Sequence, residues 1–258
     1  MHYETIRFSS RDGIATLTLD RPDVRNALNT QMRAEITHAV RDAPKTARVL
    51  VITGSGKTFC SGQDLGDGVT AATADLERTL RDEYEPMMHA IHDCAIPTIA
   101  AVNGAAAGAG ASLSLACDVV IATESAVFVQ AFTRIGLIPD AGGTYFLPRK
   151  VGLARAMGMS LFSDEISADK AAQWGMIYES VEDDLFAGHV AARAKHLANG
   201  PTVAYRHVKD ALHASYDNTL KDQLTLEAKL QNHCGQTRDF KEGVVAFLEK
   251  RPAKYEGR

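Results

Sequence analysis

The sequence predicts an α/β fold on three observations. Val49 to Thr53 and Pro97 to Val102 are short continuous apolar runs, the signature of strands buried on both faces. They alternate with stretches whose apolar residues recur at helical spacing, a pattern that favours α/β over a sandwich or a bundle. Strand signals stop after Ser180, and the rest of the chain reads as helix alone.

In chain order, Thr5 to Ser9 and Ile14 to Asp20 read as strands joined across the polar turn Ser10-Arg11-Asp12-Gly13. Thr30 is the expected N-cap of a helix to about Asp42, with Met32, Ile36, Ala39 and Val40 along one side. Asp75 to Asp93 is a second helix, with Leu76, Leu80, Tyr84, Met87 and Ile91 on its apolar side. Asn103-Gly104 closes the second buried strand, and Val119 to Ala122 and Ala126 to Val129 are further strands. Asp184 to Asn199 is helical, Thr202 to His233 is helical with one break, and Phe240 to Lys250 is a last short helix. The expected division is a core over residues 1–195 and a helical appendage over 196–258, packed on the core or on a neighbour. No fixed-period repeat or low-complexity linker interrupts the chain.

The 258 residues hold 28 Lys and Arg against 32 Asp and Glu, a net charge of −4. That balance argues against a dedicated nucleic-acid binder, which carries a basic excess. No apolar run reaches the roughly 18 residues that span a bilayer, and Met1 to Asp20 lacks the apolar centre of a signal peptide. Cys60, Cys94, Cys117 and Cys234 are scattered and form no Cys-x-x-Cys pair. They read as reduced packing residues in a cytoplasmic protein.

Several motifs invite chemistry and fall short. Gly54-Ser55-Gly56-Lys57-Thr58 follows a buried strand, but Val51 stands where a phosphate-binding loop has its first Gly, and Phe59-Cys60-Ser61-Gly62 is a poor helix start. Gly104 to Ser114 is a partial dinucleotide fingerprint whose third glycine is Leu113. It reads either as a tightly packed helix start or as an anion site built on free helix N–H groups. His89 and His92, near Cys94, lack further ligands at metal-binding spacing, so no metal is expected. There is no Gly-x-Ser-x-Gly elbow. Arg149, Lys150, Arg155, Lys250, Arg251 and Lys254 are scattered cations, of which one or two could hold a phosphate.

Three segments together resemble the enoyl-CoA hydratase/isomerase (crotonase) superfamily. They are Arg21 to Leu28, then Phe59-Cys60-Ser61-Gly62-Gln63-Asp64-Leu65, then Ala101 to Asp118 followed by Gly136-Leu137-Ile138-Pro139-Asp140-Ala141-Gly142-Gly143. The resemblance runs from about residue 3 to the C-terminus. It implies a spiral of ββα units with a helical C-terminal trimerisation region, assembled as a homotrimer or homohexamer. It implies an acyl-CoA thioester substrate, with CoA as part of the substrate and no separate cofactor. The resemblance places the two oxyanion-hole N–H groups on Gln63 and Ala109, where preorganised donors stabilise charge on a thioester oxygen. Because these donors belong to the backbone, Gln63→Ala is expected to cost less than about tenfold in rate, or about 1.4 kcal/mol. CoA is expected along Val24, Arg25, Ser61, Gly62, Asp64 and Leu65, with Lys250 reaching the CoA of a neighbouring subunit.

The two glutamates of the family's hydratases fall at Ser112 and Phe132, and neither is acidic here. A Ser and a Phe cannot together activate water and deliver a proton to carbon. They are expected to line the acyl pocket instead. Asp140 stands where several family isomerases and a dehalogenase keep an acid, and one acid suffices to move a proton between two carbons. Without the resemblance, Pro139-Asp140-Ala141-Gly142 would read as a turn. Ala131 to Asp140 and Phe146 to Arg149, extended by Trp174 to Ile177, are most similar to the family's phenylacetate-degradation isomerases. This implies rearrangement of a ring-1,2-epoxyphenylacetyl-CoA to oxepin-CoA. The alternatives are a Δ3-to-Δ2 enoyl-CoA shift, enoyl-CoA hydration, or a non-catalytic acyl-CoA or RNA-binding relative. Asp67 to Leu80 is the variable segment expected to shape the pocket.

Overall fold

The computed structural model describes residues 2–66 and 75–258. The part of the variable segment over 67–74 lies outside the described residues. In chain order the elements begin with strands β1 (Ile6–Arg11) and β2 (Ile14–Leu19), helix α1 (Thr30–Asp42), and strands β3 (Val49–Gly54) and β4 (Thr58–Cys60). Helices α2 (Leu76–Thr79) and α3 (Glu85–His92) are joined by one π-helical turn, Leu80–Tyr84. Next come β5 (Thr98–Val102), β6 (Ala105–Ala107), α4 (Ala109–Ala116), β7 (Val119–Thr123) and β8 (Val127–Val129), then a 3-10 turn, Ala131–Ile135. Helices α5 (Gly143–Val151) and α6 (Leu153–Phe162), strand β9 (Ile166–Ser167), helix α7 (Ala168–Gln173) and strand β10 (Glu179–Val181) complete the region with strands. Four helices end the chain: α8 (Asp183–Ala198), α9 (Thr202–Ala214), α10 (Leu220–Gly235) and α11 (Arg238–Leu248).

From β3 to β8, consecutive strands go to different sheets. The larger has the order β1-β2-β3-β5-β7-β10 and the smaller β4-β6-β8-β9. Each of the pairs β3 with β4, β5 with β6 and β7 with β8 therefore lays one strand in each sheet, and a helix comes next, giving the expected spiral of ββα units. Pairing is parallel along β2-β3-β5-β7 and along β4-β6-β8, with the hairpin β1-β2 antiparallel.

The continuous apolar run of β3 has its reason in this layering. Leu50 and Ile52 join the main core with Leu17, Met32, Ile36 and Met87, while Val49 and Val51 face Val190, Ala194 and Ala198 of α8. With period 2 and both faces covered, no position from Val49 to Ile52 is left for a polar residue. Each such large side chain, fully buried, contributes roughly 1.5–3 kcal/mol.

Some expectations shift at element ends. Asn29, not Thr30, caps α1: its backbone is extended and its Oδ1 accepts the Met32 N–H at 2.9 Å. The expected helix from Asp75 is broken into two by the π turn. Gly54 to Thr58 is a turn from the larger sheet into β4, so no helix begins at Lys57-Thr58 to hold a triphosphate. Of the helices after residue 196, α9 is tied to this chain's own core, as is the tail at Tyr255. Lys209 pairs with Asp118 at 2.8 Å and donates to the Cys94 carbonyl at 2.6 Å, and Arg48 reaches Thr202 Oγ1 at 2.8 Å and the Tyr255 carbonyl at 3.1 Å. Among the described residues no helix is long and apolar enough to cross a membrane.

Candidate active site

Leu28 and Gln63 form an isolated parallel bridge. Leu28 N–H donates to the Gly62 carbonyl at 2.8 Å, and Asp64 N–H donates to the Leu28 carbonyl at 3.1 Å. These bonds use the peptide groups on either side of Gln63, so the Gln63 N–H faces away from Leu28. The N-terminus of α4 stands beside it. A Cβ on Gly62 would lie 2.9 Å from the Ala107 carbonyl and 3.4 Å from the Ala109 nitrogen, and Gly62 has φ +94°. Only glycine meets both demands. Ala109 is the first residue of α4, so its N–H has no acceptor within the helix. Helix α4 reaches this position because its residues are small: a Cβ on Gly110 would lie 2.8 Å from Cys60 Sγ. Both readings of the Gly-Ala segment, close packing and free N–H groups, thus describe the same helix start. Burial pushes the Cys60 thiol up to about 12, as suits a packing residue.

Asp140 follows Ile138-Pro139 and precedes Ala141 and Gly142, both with left-handed backbone (φ +48° and +78°) ahead of α5. A left-handed alanine is uncommon, and the turn it makes sets the direction of the preceding carboxylate. Asp140 lines a cavity of about 890 Å³ with Leu80, Tyr84, Met88, Ile138, Ala141, Tyr145 and Phe146. Its Oδ1 is buried without a hydrogen-bond partner among the described residues. Burial pushes the carboxyl up to about 6, against a smaller lowering by its own backbone N–H. The other carboxylates on the cavity wall are engaged or exposed. Glu77 pairs with Arg81 at 2.9 Å, Asp93 meets His92 at 2.6 Å and His89 at 3.2 Å, and Glu85 is exposed. His92 also stacks on His213 with ring centres 4.2 Å apart. Among the described residues no group of three or more His, Cys, Asp or Glu could hold a metal ion.

Ser112 and Phe132 are not among the residues that line this cavity. Ser112 is fully buried, and its hydroxyl donates to the Asp140 carbonyl at 3.0 Å. Phe132, in the 3-10 turn, is buried with its ring 3.8 Å from where a Cβ on Gly108 would sit.

The expected CoA segment is brought together along one edge. Ser61 N–H donates to the Arg25 carbonyl at 3.1 Å and Ser61 Oγ approaches the Val24 carbonyl at 3.4 Å. Arg25 has φ +56° and an exposed side chain, and Val24 and Leu65 are exposed beside it. Asp64 accepts from Arg21 Nη1 at 2.7 Å and from Gly66 N–H at 2.9 Å. Burial works against its ionisation, but these partners hold its carboxyl below the usual range. Lys250 is elsewhere, just past α11, and no hydrogen bond or ion pair among the described residues ties it to this edge.

Sequence reasoning gave no functional role to Arg33, Glu83 or Tyr84. Arg33 is 2% exposed, and its Nη1 donates to the Leu28 carbonyl at 2.6 Å and to Gln63 Oε1 at 2.9 Å. Tyr84 OH donates to the same Oε1 at 2.6 Å. Burial pushes the Tyr84 phenol up, opposed by Arg33 and reinforced by Asp140, so the phenol stays a donor. One signal existed: Arg33 interrupts the apolar face of α1 between Met32 and Ile36.

The sequence model of the enoyl-CoA hydratase/isomerase family matches residues 9–258. A protein of Rhodobacter capsulatus named a probable enoyl-CoA hydratase is 59% identical over 258 residues, covering 100% of both chains. The 1,2-epoxyphenylacetyl-CoA isomerase of Escherichia coli is 43% identical over 251 residues, covering 95% of this chain and 96% of its own. The crystal structure of an enoyl-CoA hydratase from Polaromonas sp. JS666 superposes with a TM-score of 0.92 at 32% identity, covering 97% of this chain and 99% of that one.

Proposed function

We propose, for a chain that belongs to the enoyl-CoA hydratase/isomerase family, an acyl-CoA isomerase that works with a single carboxylate. The observation that carries this reading is Asp140: a buried, unpartnered oxygen on the wall of a largely apolar cavity, with a pKa of about 6. A carboxylate so placed is basic enough to take a carbon-bound proton next to a thioester and acidic enough to return it. The N–H groups of Gln63 and Ala109 take the developing charge on the thioester oxygen, each donor being worth about 3–4 kcal/mol in the transition state.

In a Δ3-to-Δ2 shift Asp140 removes a proton from C2. The electron pair spreads over the thioester enolate and C4, and Asp140 returns the proton to C4 as the double bond settles between C2 and C3. The preferred substrate in our reading is a ring-1,2-epoxyphenylacetyl-CoA rearranging to the oxepin. The likeness to the Escherichia coli isomerase and the aromatic wall of Tyr84, Tyr145 and Phe146 support it. Neither reaction takes up water, and none of the residues involved calls for a cofactor beyond the CoA of the substrate.

CoA lies along Val24, Arg25, Ser61, Gly62, Asp64 and Leu65 in this proposal, held mostly through backbone, with Arg25 at a phosphate. Residues 1–195 form the catalytic unit, and 196–258 the oligomerisation region of a cytoplasmic homotrimer or homohexamer. Exposed apolar side chains on the last two helices, Leu220, Leu224, Phe240 and Phe247, support burial against further copies.

Hydration is the second reading, favoured by the name of the Rhodobacter relative. Against it stand Ser112 and Phe132 at the two positions where the family's hydratases need acids. The test assays dialysed protein with ring-epoxide, Δ3-enoyl and Δ2-enoyl CoA thioesters side by side. Isomerised product without added water supports the proposal. Crotonyl-CoA hydration as fast as any isomerisation would replace it with the second reading.

A further inference from the structure

We propose that Arg33 is a positioning residue that fixes the direction of the Gln63 N–H and ties it to the wall of the acyl cavity. This rests on the reading of that N–H as an oxyanion donor.

A bridge of one residue pair is held by only two backbone bonds, here Leu28 N–H to Gly62 and Asp64 N–H to Leu28. Such a bridge leaves the peptide plane free to tilt. Arg33 Nη1 binds both sides of it at once, through the Leu28 carbonyl at 2.6 Å and Gln63 Oε1 at 2.9 Å. The guanidinium is itself held. Nε and Nη2 donate to Glu83 Oε2 at 3.0 and 2.6 Å, and Nη2 also donates to Thr30 Oγ1 at 3.1 Å. A planar fork with its donors occupied has little freedom to turn.

The second half of the clamp comes from the π turn. Glu83 and Tyr84 are adjacent in sequence, and both meet Arg33. Glu83 takes the charge, and the Tyr84 ring lies 4.8 Å from the guanidinium carbon. The Tyr84 hydroxyl closes the circuit on Gln63 Oε1 at 2.6 Å. Tyr84 also lines the cavity with Asp140. Both side chains reach Arg33 from this π turn, and π turns recur at functional sites. The cavity wall and the expected oxyanion donor are thus one hydrogen-bonded unit. The same geometry revises the expectation for Gln63: its side chain is the handle of the clamp, so Gln63→Ala should cost more than tenfold.

The test reads the thioester carbonyl directly. Infrared difference spectra of the full-length protein with a bound, non-isomerisable acyl-CoA thioester should show the C=O stretch shifted to lower frequency. In Arg33→Met that shift should be lost and kcat should fall about 10²-fold. The dissociation constant of the matching thioether, which has no carbonyl, should stay within twofold. A folded Arg33→Met that keeps the shift and the rate overturns the inference. So does one that loses thioether binding in parallel, since that marks a purely structural role. If Arg33→Met does not fold, Tyr84→Phe, which deletes only the hydroxyl, carries the test, and an unchanged shift there overturns the clamp. Failure of wild type to shift the carbonyl would instead overturn the oxyanion reading on which the inference stands.

Discussion

The Ser112 hydroxyl donates to the backbone carbonyl of Asp140 at 3.0 Å. The residue that stands where related hydratases carry an acid therefore supports the backbone of this chain's own carboxylate. Ser112 is fully buried, and a Cβ added at Gly143 would lie 3.0 Å from its Oγ. Ser112→Ala is expected to lower stability by about 1 kcal/mol, measured by denaturant unfolding. Ser112→Glu should lose isomerase activity without gaining crotonyl-CoA hydration, because the longer side chain has no room beneath Asp140. Hydration by that variant above wild type would count against the packing argument.

Asp140→Asn preserves shape and removes the base. Isomerase turnover should fall by roughly 10²–10⁴-fold, with the circular dichroism spectrum unchanged. Wild-type hydration of crotonyl-CoA should already be far slower than isomerisation. Robust hydration that survives Asp140→Asn would place the chemistry on other residues.

The Asp140 pKa of about 6 sets a pH profile. The first step needs the ionised carboxylate, so kcat/KM for the isomerisation should fall as pH drops through about 6. Stability runs the other way. A carboxyl raised by burial favours folding below its unfolded value near 4, and that contribution is lost as pH rises through about 6. The loss is at most about 3 kcal/mol for about two pK units. Asp140→Asn should therefore be more stable than wild type at pH 8 and similar to it at pH 4, as read by thermal melts at the two pH values.

Gly62→Ala tests the backbone between the two expected donors. A methyl 2.9 Å from the Ala107 carbonyl, on a residue with φ +94°, must displace one strand or the other. We expect a kcat loss of more than about 10²-fold, as when an oxyanion donor is misplaced, with KM changed less. Unchanged kcat in a folded Gly62→Ala would show that neither N–H is needed.

Arg25 forms no ion pair among the described residues and stands beside Ser61 on the exposed edge. Arg25→Ala should raise KM for every acyl-CoA with little change in kcat, because phosphate contact is uniform binding. Lys250→Ala should do the same only in the assembled oligomer. Unchanged KM in both variants would move the nucleotide elsewhere.

Sequence alone determined the α/β class and the longer elements, because short apolar runs such as Val49 to Thr53 and amphipathic stretches such as that of α1 are set by local periodicity, whereas the short strands β4, β6, β9 and β10 and the helices α5 to α7 went unassigned. Motif order likewise carried the family and singled out Gln63, Ala109 and Asp140 as neighbours in function. Other features depended on residues distant in the chain. The π turn after Thr79 exists where Glu83 and Tyr84 meet Arg33, which lies 50 positions before Glu83, and no local propensity records that meeting. The direction of the Asp140 pKa shift was undecided in the sequence, where an apolar pocket would raise it and a following helix start would lower it. Tertiary packing decided it, by enclosing the carboxyl among Leu80, Tyr84, Met88 and Phe146 with no hydrogen-bond partner for Oδ1. Ser112 and Phe132 show the same division. Their identities exclude a pair of acids, but only the packing of α4 against the Asp140 turn shows that Ser112 lies against the Asp140 backbone rather than on the cavity wall.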